Sequence, residues 1–158
     1  MSDESVWLDE DETATWLALW SVGQWLPTRL DEQLKRTFGI NMSDYFVLAQ
    51  ISMAPDEQIT MSELAALSDM SPSRLSHVVS RLEKYGFVTR ARHPEDRRTN
   101  IASITDEGRS FIVRAAPEHV GQVRKLVFDA LTPDEVREFG RLLSRIVDRL
   151  EPPSFPRV

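Results

Sequence analysis

From Ser71 to Arg109 the chain reads SPSRLSHVVSRLEKYGFVTRARHPEDRRTNIASITDEGR. Its polar side chains include hydroxyls, guanidinium groups and an imidazole: Ser71, Ser73, Arg74, Ser76, His77 and Arg81, then Arg90, Arg92, Arg97 and Arg98. An arginine fork donates two parallel hydrogen bonds to a guanine or a phosphate, and a serine hydroxyl bonds a base edge or a phosphate oxygen. The chemistry on offer is recognition of a polyanion. Residues 70–98 hold seven Lys/Arg against three Asp/Glu, whereas residues 1–60 hold three against eleven, in a chain of 158 residues with a net charge of -6. A basic middle inside an acidic chain is an electrostatic footprint for nucleic acid. By charge alone it reads equally well as a solvated, salt-bridged face.

The elements that must carry these groups decide between the two. Thr60 and Glu63 have the spacing of a capping box, so a helix opens there with Leu64, Ala65 and Leu67 facing inward. Ser71 followed by Pro72 is an N-cap with proline at the first helical position, and it opens a second helix. Leu75, Val78, Val79 and Leu82 form its apolar stripe, which leaves the serines and arginines outside. Gly86 stands where a left-handed C-terminal cap is expected. Two helices joined by about four residues, the second with a basic outer face, are a helix-turn-helix. FVTRA and NIASIT then read as two strands around the loop RHPEDRR, a hairpin wing whose tip suits the minor groove or flanking phosphates.

Ahead of this segment Trp16, Trp20, Leu26, Leu30 and Leu34 mark a long amphipathic helix from Thr13 to Phe38, kinked or interrupted at Pro27; a shorter helix starts at Ser43. Behind it, Thr105 caps a helix that passes Pro117, again with a kink. A capping box at Thr132 and Glu135 opens a last one through Leu150. The terminal helices carry apolar stripes that the small central module cannot cover.

Composition removes other classes. There is no cysteine, so disulfides and thiolate metal sites are excluded. His77, His93 and His119 are not helix-face neighbours of one another, and no phosphate-binding loop, nucleophile elbow or dinucleotide fingerprint occurs; we expect no enzyme, cofactor or metal. The acidic N-terminus and the lack of an apolar run near 18 residues lead us to expect a cytoplasmic chain with no membrane association.

LEKYGFVTR at the end of the second helix, Asp96-x-Arg98 in the wing and Thr105-x-x-Gly108 beyond it resemble the winged helix-turn-helix of the MarR family of bacterial regulators. The resemblance implies a mainly α fold with a small β-hairpin wing. It also implies one MarR-like domain over residues 1–158, with a DNA-binding lobe at 43–108 and a helical dimerisation lobe at 10–38 and 109–151. Arg98 falls on the wing arginine that enters the minor groove, with Arg97 beside it, and Asp96 on the acidic residue that orders the wing. Arg90 is a candidate partner for Asp96, or a solvated arginine. Ser71, Ser73, Arg74, Ser76, His77 and Arg81 match the stretch that contacts DNA. Trp16 and Trp20 serve either as core or as the lining of a cleft for a small aromatic or anionic effector. The expected function is a homodimeric, ligand-responsive repressor on a pseudo-palindromic operator. The alternatives are an effector-independent regulator or activator, and a winged-helix module that binds protein.

Overall fold

The computed structural model describes residues 7–94 and 98–150. Six helices and three short strands follow one another as α1 (Glu10–Phe38), α2 (Met42–Met53), β1 (Gln58–Thr60), α3 (Met61–Leu67), α4 (Pro72–Lys84), β2 (Val88–Arg92), β3 (Asn100–Ile104), α5 (Asp106–Leu126) and α6 (Pro133–Leu150). The expected caps form. Thr60 with Glu63, Ser71, Thr105, and Thr132 with Glu135 each close a helix start through side-chain bonds to backbone N–H groups. α2 begins earlier than Ser43: Asn41 is its N-cap and accepts from Asp44 N, while Asp31 of α1 accepts from Met42 N at 2.8 Å.

The wing is part of a three-stranded antiparallel sheet of order β1-β3-β2. The sequence shows only two of these strands, because β1 is three residues long and offers a single buried side chain, Ile59, to any alternation pattern. β1 pairs with β3 from Gln58 opposite Ser103 to Thr60 opposite Ile101.

Neither proline interrupts its helix. α1 runs through Pro27 and α5 through Pro117. Each proline frees one carbonyl four residues earlier, on Gly23 and on Val113, and both residues are exposed, so water can take the acceptor.

The core gathers where α2, α3 and α4 meet the sheet. Leu48, Ile51, Leu64, Leu75, Val79 and Leu82 are fully buried there, with Leu34 of α1 and Phe111 and Ala115 of α5 closing the top. Each such aliphatic side chain contributes roughly 2 kcal/mol by leaving water. The apolar stripe read on α4 is therefore what seats that helix and turns its other side outward.

Candidate nucleic-acid interface

α4 presents Ser71, Ser73, Arg74 and His77 on its exposed side, while Ser76 is half-buried. Ser71, Ser73, Arg74 and His77 border a surface groove of about 430 Å³ whose opposite wall is the start of α2, with Asn41 and Ser43. Two helix N-termini thus converge on one concavity beside Arg74. Both helix ends carry a partial positive charge, and with Arg74 beside them the groove favours a phosphate. Asn41 and Ser43 escaped the sequence reading, since nothing in their local pattern brings α2 alongside α4.

Arg81 makes a contact that the sequence did not show. Its Nε lies 3.1 Å from each carboxylate oxygen of Asp44 and its Nη2 lies 2.5 Å from Oδ1, across 37 residues of sequence. Asp44 is fully buried, and Asn41 Nδ2 donates to its second oxygen at 2.9 Å. The carboxylate hydrogen bond holds the guanidinium pKa above its ordinary value. Arg81 therefore fastens α4 to α2 while its partly exposed side chain still lines the groove. A signal existed in the sequence: Asp44 is the one charge in MSDYFVLAQISM, the kind of residue that is buried only when paired.

Arg90, on β2, also turns toward α4. Its Nη1 donates to Ser76 Oγ at 3.2 Å, and its Nη2 to Ser80 Oγ at 3.0 Å and Glu83 Oε2 at 2.6 Å. One side chain on the wing thereby spans two turns of the recognition helix. Asp96, with which Arg90 was expected to pair, and Arg97 lie outside the described residues. Arg98, at the near end of β3, is exposed.

Trp16 and Trp20 lie with ring centroids 5.8 Å apart on the exposed part of α1, both about half accessible, so neither is core of this chain. His119 of α5 packs on Tyr45 of α2 at 4.6 Å; burial pushes its pKa down, and its Nδ1 finds no hydrogen-bond partner among the described residues. Among those residues no cluster of His, Asp and Glu could hold a metal ion, and no helix is long and apolar enough to cross a membrane.

A family model described as the MarR family matches residues 40–99, the span that holds α2, the helix-turn-helix and the start of the wing. Sco3205 of Streptomyces coelicolor, a MarR family transcriptional regulator solved in complex with DNA, superposes with a TM-score of 0.86 at 38% identity, covering 96% of this chain and 94% of that one. AbsC, a MarR family regulator of the same organism, gives 0.84 at 33% identity over 91% of this chain and 97% of its own. The curated regulator PapX of Escherichia coli is 34% identical over 110 residues, a match spanning 70% of this chain and 66% of PapX. With α4 set for a groove, the wing tied to it and likeness of this extent along nearly the whole chain, the protein belongs to the MarR family of transcriptional regulators.

Proposed function

We propose that this chain binds a pseudo-palindromic DNA operator as a homodimer and represses transcription until a small aromatic or anionic effector binds. The carrying observation is the groove between α2 and α4, where two helix N-termini and Arg74 face one concavity. A phosphate seated there fixes the register of α4 in the major groove, where Ser73, Ser76 and His77 meet base edges. Arg98 and Arg97 then reach the adjacent minor groove, whose negative potential attracts guanidinium groups. Residues 43–108 form the DNA-binding lobe, and 10–38 with 109–151 form the dimerisation lobe. The exposed Trp16, Trp20, Phe139, Leu142 and Ile146 support this division, because a second copy would cover them. Trp16 and Trp20 would line an effector cleft once that copy closes over them. Such a regulator works in the cytoplasm, and a winged module that binds protein would have no use for the phosphate groove.

The test is selection from a random duplex pool, followed by binding of the recovered sequence by wild type, Arg74→Ala and Arg98→Ala. We expect a two-fold symmetric site with half-sites about 34 Å apart, and a loss of about tenfold for each variant with unchanged folding. Absence of any enriched site, or variants that bind as wild type does, would refute the reading.

A further inference from the structure

The proposed operator reading requires the two recognition helices of a dimer to be held at one separation. Within one chain that separation depends on how α4 is joined to α5. The end of α4 is a double turn closed by the backbone: Gly86 N donates to Glu83 O and Phe87 N to Leu82 O, both at 2.9 Å, with Gly86 at a φ of 76°. These are the two bonds of a Schellman cap. The carbonyls of the same two residues face the start of α5. Thr105 N donates to Phe87 O at 3.0 Å and Thr105 Oγ1 donates to Gly86 O at 2.6 Å, while that hydroxyl accepts from Gly108 N at 3.0 Å. One threonine hydroxyl thus caps α5 and grips the cap of α4 at once.

Two further contacts close the joint. A Cβ built on Gly108 would overlap the Phe87 carbonyl oxygen and lie 2.8 Å from Ile104 Cγ1, so only glycine lets α5 start this close to the turn that ends α4. Phe87 stacks on Phe111 of α5 at 4.6 Å, and Phe111 meets Phe38 of α1 edge-on at 5.8 Å.

We infer that the junction of Thr105, Gly108 and Phe87 is a rigid coupling that makes α4 and α5 one body, and that Thr105 is the positioning residue that sets which half-site spacing the dimer accepts. This rests on the proposed operator reading for its consequence, though not for its mechanics. Chains lacking the hydroxyl would keep α4 and its base-reading groups but let α4 swing relative to α5. Binding to a single half-site is then preserved, while the advantage of engaging two half-sites at one spacing falls by about tenfold as the effective concentration of the second contact drops.

The mechanics are tested without DNA. The chain has no cysteine, so spin labels can be placed at Ser73→Cys on α4 and Glu118→Cys on α5, with labelled chains diluted into unlabelled ones. Electron resonance should give one narrow distance for wild type, a broader distribution for Thr105→Val, and recovery with Thr105→Ser. Equal widths in all three would overturn the coupling, whatever the protein does to DNA. The consequence is read on the selected operator and on duplexes with one base pair inserted or deleted between half-sites, beside an isolated half-site. Wild type should discriminate sharply between spacings and Thr105→Val weakly, with half-site affinity within about twofold of wild type. An unchanged spacing profile with equal losses on every duplex would overturn the positioning role. A wild type that enriches no duplex would sink the operator reading alone and leave the distance measurement to decide the coupling.

Discussion

The central module and the terminal helices of this protein are built to different degrees of completion. Among the described residues, every buried hydrophobic side chain lies between Leu30 and Ala115. α6 contains no buried residue at all, and α1 has none before Leu30. Residues 13–28 contain no charged side chain, yet Trp16, Leu17, Trp20, Val22 and Trp25 stand exposed there. A helix with apolar residues around most of its circumference is stable when protein covers it. The comparison teaches that one chain suffices to shape a recognition surface, whereas its outer helices keep apolar faces uncovered, as the proposed dimer requires.

The change with the largest expected effect attacks the unfinished half. Leu142→Asp with Ile146→Asp places two carboxylates on the exposed stripe of α6, where they cost a lone chain little but would be buried in a dimer. Sedimentation should show monomers, and operator affinity should fall by about 100-fold as the second half-site is lost; a double variant that remains dimeric would break the comparison outright.

A smaller effect is expected inside the finished half. Arg81→Ala leaves Asp44 buried without its cation and should cost about 3 kcal/mol in urea unfolding. Asp44→Asn should cost less, because the partially exposed Arg81 can turn to water. If the two losses are equal, Asp44 is better hydrated than its burial implies.

The smallest effect sharpens the boundary between the halves, where His119 of α5 packs on Tyr45. Burial holds the folded-state pKa of His119 below its unfolded value, so in the window between them the unfolded chain binds more protons. Its contribution to stability is full above the unfolded value of about 6.5 and is lost as pH falls through the folded one. The urea midpoint of wild type should therefore drop more between pH 7 and 5 than that of His119→Phe; parallel curves would place His119 in water.

Much of this was legible in the sequence, for identifiable reasons. Caps announce themselves locally, so Thr60, Ser71, Thr105 and Thr132 could be placed from three or four residues of context. The stripe of Leu75, Val78, Val79 and Leu82 likewise fixed the outward face of α4. Pairings across long separations could not be read. Nothing near Arg81 points to Asp44, and nothing in FVTRA says that Arg90 turns inward to Ser76, Ser80 and Glu83 rather than outward. That the prolines interrupt neither helix was out of reach for a related reason: the freed carbonyls lie on exposed residues where water can take them, and exposure is a property of the whole fold.

The two inward arginines alter how the protein should respond to ionic strength. A cation that docks on DNA displaces ions condensed along the duplex, and each such displacement steepens the salt dependence by about 0.9 in log–log slope. Arg81 and Arg90 are already paired with Asp44 and Glu83, so these two of the seven cations in residues 70–98 should displace fewer ions than unpaired ones would. The protein should therefore hold its operator more evenly across changes in cellular salt than its arginine count suggests, with a larger share of its binding carried by fit.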